Sequence, residues 1–129
     1  MNRLQAERLV YVATPYSKYK DGDIHGAFMQ ASSITADLLR QGVKCYSPIA
    51  HTHPIAIYGG INPLDHSIWL PFDQAIMDAA SSLCVAMMEG WRESYGVGEE
   101  IKIFKAANKP IYYLDVDVKD FSVVDEPPG

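Results

Sequence analysis

Short apolar runs alternate with segments of helical periodicity along this chain, and that alternation most constrains its fold. Leu9-Val10-Tyr11-Val12-Ala13 is β-prone, too short for a stable helix, and stopped by Thr14-Pro15-Tyr16-Ser17, so it reads as a buried first strand. Lys18 to Gly22 reads as a polar loop. Asp23 can cap the next segment, where Ile24, Phe28, Ala31, Ile34 and Leu38 recur at helical spacing and Gly42 supplies a left-handed end. Val43 to Ser47 is the second strand, closed by Pro48. A long connection follows, from Ile49 to about Ser67. The next helix has Pro71 in its first turn and runs to about Ala80, or extends back toward Asp65 with a kink at the proline. Leu83 to Met88 is the third strand, Ile101 to Asn108 a helix, Ile111 to Leu114 the fourth strand, and 116–124 a fifth strand or an edge segment. Buried strands joined by helices predict a three-layer α/β domain, flavodoxin- or Rossmann-like, with a mostly parallel sheet of four or five strands.

A length of 129 residues suits one domain, 1–129, with one core; the acidic segment 122–129 reads as a flexible tail. The formal net charge of −5, with no Lys/Arg cluster, argues against a nucleic-acid partner but not against a single nucleotide. Cys45 and Cys84 lie in apolar runs, as buried thiols of a cytoplasmic protein do. No apolar run reaches membrane-spanning length, and the charged N-terminal residues lack the apolar centre of a signal peptide, so no membrane association is expected.

In parallel sheets, ligands bind beyond the carboxyl ends of the strands, where strand order reverses. Thr14–Ser17, the loop with His51 and His53, and Trp91–Glu100 should then line one crevice. In the last of these, a strand, a glycine-bearing turn and a helix start converge, which gathers backbone N–H groups for an anion. Glu100 shares a helical stripe with Val97, Ile101 and Phe104, while Glu99, Lys102 and Lys105 take the solvent side. Asp73 shares a stripe with Trp69, Ile76, Met77 and Ala80. Two acids thus sit on apolar faces, each near a helix N-terminus. A buried carboxylate is costly unless it is paired, hydrogen-bonded or neutral. Two carboxyls in different environments can work at an acetal carbon, one as nucleophile and one managing protons. The plainer alternative is that each caps a helix or pairs with Arg92 or a lysine.

Ser94-x-Gly96-Val97-Gly98-x-Glu100-Ile101, together with Asp73 on the preceding helix and Tyr11 in the first strand, resembles the nucleoside 2-deoxyribosyltransferase superfamily. It is most similar to the branch that hydrolyses 2′-deoxynucleoside 5′-monophosphates. A related group of small bacterial and phage proteins shares the Ala-Thr-Pro-Tyr-Ser opening, the Ser-Pro-x-x-x-x-His-Pro loop and the Gly-Trp-Arg-x-Ser turn. The resemblance covers about 9–114. It implies an enzyme that cleaves or transfers the base of a (deoxy)nucleoside or its 5′-monophosphate through a glycosyl-enzyme intermediate. Glu100 would be the nucleophile at C1′, Asp73 the carboxylate that contacts the sugar or assists the departing base, and Tyr11 the hydrogen-bond donor to the nucleophile. Ser94 and the N–H groups from Gly96 to Gly98 would bind the 5′-phosphate. The chemistry needs no cofactor. A residue from a neighbouring subunit would complete the site, implying a homodimer or higher homo-oligomer, and Tyr112 and Tyr113 are candidate exposed aromatics for that interface.

Further contacts are expected from Pro15, Tyr16 and Ser17 at the first crossover, from His53, and from Trp91 and Arg92 at the crevice. Trp69, at helical spacing, reads as core. The His51-x-His53 pair lacks convincing further ligands, so no metal site is expected. Retaining chemistry predicts the two carboxyl groups roughly 5 Å apart. The competing class is a non-catalytic nucleotide-binding or sensing module of the same fold.

Overall fold

The computed structural model describes residues 3–117 and 122–127. Strands β1 (Val10–Ala13), β2 (Cys45–Tyr46), β3 (Ser82–Ala86), β4 (Ile111–Asp115) and β5 (Ser122–Val124) form one sheet in the order β2-β1-β3-β4-β5. β1 to β4 are parallel, and β5 adds antiparallel to β4. The helices are α1 (Ile24–Arg40), α2 (Pro48–Gly59), α3 (His66–Ala79) and α4 (Tyr95–Ala106). This is the three-layer α/β class, with its switch point between β1 and β3.

Side chains alternate across the sheet with the period of two that a strand imposes. Val10, Val12, Cys84, Ala86 and Leu114 meet Ala27, Ile34 and Leu38 of α1 on one face. Tyr11, Ala13, Leu83 and Val85 meet Met77 of α3 and Val97 and Phe104 of α4 on the other. Both faces of β1 and β3 are buried, which is why those strands are continuous apolar runs rather than alternating ones. Each fully buried large side chain contributes roughly 1.5–3 kcal/mol, so two covered faces make the strand ends a stiff platform. The α1 boundaries are those expected: Asp23 accepts from the Gly26 N–H at 2.9 Å, and Gly42 has φ +85°.

The structure corrects the sequence reading in four places. The expected connection from Ile49 is mostly α2, started by the Ser47 hydroxyl accepting from the Ala50 N–H at 3.2 Å and ended by Gly60 at φ +72°. Its apolar residues lie all round the helix, leaving no stripe to detect, and Pro54 stands inside it. α3 takes the earlier of its two expected starts, under an Asp65 cap with Pro71 inside, so Asp73 stands in mid-helix and not, as expected, near an N-terminus. Tyr112 and Tyr113, expected at an interface, are each 6% exposed. Tyr112 donates to Glu7 at 3.0 Å, and Tyr113 packs beside Trp91. Ser122–Val124 of the expected flexible tail is strand β5; residues 118–121 and 128–129 lie outside the described residues. Among the described residues, no helix is long and apolar enough to cross a membrane.

Candidate active site

At the switch point, the chain leaving β1 and the chain entering α4 face each other across a cavity. Its walls include Thr14 and Tyr16 after β1, Asp73 of α3, and Ser94, Gly96 and Glu100 at the start of α4. One glycine brings the two turns together. Gly90 has φ +86°, and a Cβ there would stand 2.2 Å from the Lys18 carbonyl oxygen. Both the left-handed conformation and the close approach require glycine.

Glu100 is 9% exposed, carried inward by the same helical stripe as Val97 and Phe104. Burial pushes its carboxyl up to about 8; the negative charge of Asp73 adds to that rise, and the Tyr11 hydroxyl opposes it. Burial likewise pushes Asp73 up to about 6. Tyr11 is fully buried, and burial, reinforced by the charges of Glu100 and Asp73, holds its phenol far above the usual range, so it stays protonated. The hydroxyl lies beside the Glu100 carboxyl without reaching close hydrogen-bond geometry to any described atom. Tyr46 has its hydroxyl on the same side, where burial and the Asp73 charge push it up to about 12.

Four buried polar atoms cluster here without a hydrogen-bond partner among the described residues: the hydroxyls of Tyr11, Thr14 and Tyr46, and one carboxylate oxygen of Asp73. A fifth, on Ser82, lies at the opposite end of β3. Each such group costs roughly 1–3 kcal/mol, so four in one place make this a locally costly, polar part of the interior and a candidate functional site. The plainer alternative, in which each acid caps a helix or pairs with a cation, finds no support here. The caps are Asp65 and Ser94, and the described salt bridges involve neither Asp73 nor Glu100.

The expected anion turn takes a different form. Ser94 is the N-cap of α4 and accepts from the Val97 N–H at 3.2 Å, while the Gly98 N–H is bonded to the Ser94 carbonyl at 3.1 Å. Gly96 and Gly98 are helical residues, and Gly98 does not reach the cavity. The donors left for an anion are the Ser94 hydroxyl and the first N–H groups of the helix, at Tyr95 and Gly96.

Other expected contacts divide. Tyr16 and Ser17 line the cavity, whereas Pro15 is buried beneath the turn. His53, on α2, is buried and hydrogen-bonds the Tyr16 hydroxyl instead of facing a ligand. His51 is exposed and stacks on Phe72 at 5.5 Å, so the two histidines diverge. Among the described residues no group of three or more His, Cys, Asp or Glu could hold a metal ion. Trp91 and Arg92 lie elsewhere: they line a separate open cleft of about 530 Å³, with the guanidinium 4.6 Å from the indole centroid. Trp69, expected in the core, lines the cavity, fixed by its indole N–H donating to the Asn62 carbonyl at 3.0 Å. Glu99, expected in solvent, reaches the cavity wall and pairs with Lys102 at 3.2 Å. Tyr46 was missed altogether. Its signal was positional, as the last residue of a strand beside the switch point.

The switch-point cavity of this small α/β domain thus gathers two inward carboxyls, a buried tyrosine and the N-terminus of α4. The chain belongs to the DUF1937 family, a domain of unknown function, whose family model matches residues 8–116. No curated protein matches it.

Proposed function

We propose that the protein cleaves or transfers the N-glycosidic bond of a (deoxy)nucleoside or its 5′-monophosphate. The observation that carries this is the pair Glu100 and Asp73, two inward carboxyls in one cavity with their proton affinities set apart by burial. Between about pH 6 and 8 the pair holds one proton, and Glu100 binds it more tightly. Moving that proton to Asp73 costs at most roughly 3 kcal/mol, less after solvent screening at Asp73, and frees Glu100 as a nucleophile. The Glu100 carboxylate then attacks C1′ and the C1′–N bond breaks. The base leaves with the bonding electrons and takes the Asp73 proton. Asp73 next removes a proton from water, or from an incoming base, which attacks C1′ and releases Glu100 with net retention. Tyr11 supports the Glu100 carboxylate, and the start of α4 with Ser94 suits a 5′-phosphate.

The cavity is narrow, about 110 Å³, against the ~300–1,000 Å³ of typical ligand pockets. Cys45 and Cys84 are free thiols, which suits a cytoplasmic enzyme.

Free-base release from a panel of nucleosides and nucleotides tests the proposal, with mass spectrometry for the glycosyl adduct. The adduct is expected on the wild type and absent from Glu100→Ala. Tight nucleotide binding without base release from any substrate would overturn it in favour of a binding or sensing module.

A further inference from the structure

In that reaction Glu100 serves the sugar carbon, Asp73 gives the base one proton, and the start of α4 suits a phosphate, which leaves the other acceptors of the departing base without a donor. Among the polar groups on the cavity wall that these roles leave unused, Tyr16 is the one held by a buried imidazole. It leaves the sheet three residues after β1, and its hydroxyl shares a hydrogen bond with Nδ1 of His53. His53 is 5% exposed. Its ring stacks on Phe28 with centroids 4.7 Å apart, meets the Tyr16 ring edge-on at 5.6 Å, and lies 5.9 Å from His25. Phe28 and His25 both come from α1, so the imidazole, carried on α2, is held between α1 and the Tyr16 turn. An imidazole this enclosed has little rotational freedom left to lose, and it fixes the rotor of the one phenol it touches.

The charge states fit a neutral pair. Burial, with His25 nearby, lowers the proton affinity of His53, and burial pushes the Tyr16 phenol up to about 12. Two neutral groups then share one hydrogen bond. When Nδ1–H donates to the phenolic oxygen, the phenolic O–H is free to donate into the cavity.

We propose that Tyr16 holds the departing base, donating its O–H to a ring nitrogen or carbonyl acceptor, while His53 is the positioning residue that aims it. This rests on the glycosidase function proposed above. Breaking the C1′–N bond sends negative charge into the base, and a fixed donor at that point stabilises the transition state more than the ground state. A donor backed by a second hydrogen bond is also polarised by it.

The test compares wild type, Tyr16→Phe and His53→Gln on two leaving groups. One is the 2′-deoxynucleoside 5′-monophosphate that the wild type cleaves fastest. The other is 4-nitrophenyl 2-deoxyriboside 5-phosphate, whose nitrophenolate departs without a donor. Tyr16→Phe is expected to lose about 100-fold in kcat on the nucleotide and less than about 5-fold on the nitrophenyl substrate. His53→Gln should lose about 10-fold with the same selectivity. Equal losses on both substrates, or no loss on the nucleotide, would overturn the assignment while leaving the glycosidase standing. Absence of base release by the wild type would overturn both. A second measurement needs no turnover: ¹⁵N NMR of the wild-type histidines should show His53 as the Nδ1–H tautomer. The opposite tautomer, with Nδ1 accepting from Tyr16, would overturn the proposal, and this measurement alone decides if the nitrophenyl substrate is not cleaved.

Discussion

Replacing Glu100 with glutamine should stabilise the protein, and the gain should appear only as pH rises. Burial raises the Glu100 carboxyl from its ordinary 4.5 to about 8. A group whose proton affinity is raised by folding contributes fully below its unfolded value, and loses that contribution as pH rises toward its folded value. Here the window is about pH 4.5 to 8, so the wild type should weaken progressively across it. Each pH unit in that window is worth about 1.4 kcal/mol, which bounds the loss at roughly 4–5 kcal/mol. Coupling to Asp73 and relaxation of the cavity reduce this, and about 2–4 kcal/mol is the expected difference. Glutamine matches the protonated carboxyl in shape and cannot ionise. The two proteins should therefore have similar stability at about pH 5 and differ by about 2–4 kcal/mol at about pH 9. Urea unfolding at the two pH values measures this directly. A Glu100→Gln variant with the same stability gap from wild type at both would refute a buried, titrating Glu100, and with it the electrostatic account of the site.

Three further outcomes follow from the same geometry. The pH profile of kcat/KM for base release should be bell-shaped, rising as the carboxyl pair loses its first proton near 6 and falling as it loses the second near 8; a flat profile across that range would exclude a one-proton pair. Gly90→Ala should destabilise the fold by at least ~2 kcal/mol in urea unfolding, because its Cβ meets the Lys18 carbonyl at 2.2 Å in a left-handed backbone. Trp69→Ala should raise KM for the nucleotide by about 10-fold or more, while Arg92→Ala, in the separate cleft, should leave kcat/KM within about threefold; the reverse ranking would place the ligand in the wrong cavity.

What was legible in the chain was whatever a fixed period controls. Strands buried on both faces must be apolar throughout, so Val10–Ala13 and Ser82–Ala86 declared themselves. A helix of 3.6 residues per turn put Glu100 in line with Val97 and Phe104, and Asp73 in line with Met77, whatever the helix boundaries turned out to be. Two starts were open for α3, and the inward orientation of Asp73 is the same with either, although the observed start under Asp65 moves it from the first turns to mid-helix. α2 escapes notice because a helix packed on α1 and β1 on one side, with Ile55, Ile57 and Tyr58 exposed on the other, carries no stripe, and its two prolines mask the rest.

The two tryptophans show where periodicity stops. Trp69 sits on the same stripe as Asp73, and an apolar stripe ordinarily means core. Yet a stripe marks only the side facing the neighbouring elements, and near the carboxyl ends of the strands that side opens into the cavity. Trp91 stands in a loop, where no period fixes direction, and Tyr113 of the neighbouring strand offers it a surface at 5.9 Å. A large exposed indole gains roughly as much from that burial as from any ligand. Height along the sheet, more than helical face, thus separates packing residues from site residues. By that measure Thr14, Tyr16, Tyr46, Trp69, Asp73 and Glu100 form one group, and the segment 91–93 shapes the rim of the separate cleft.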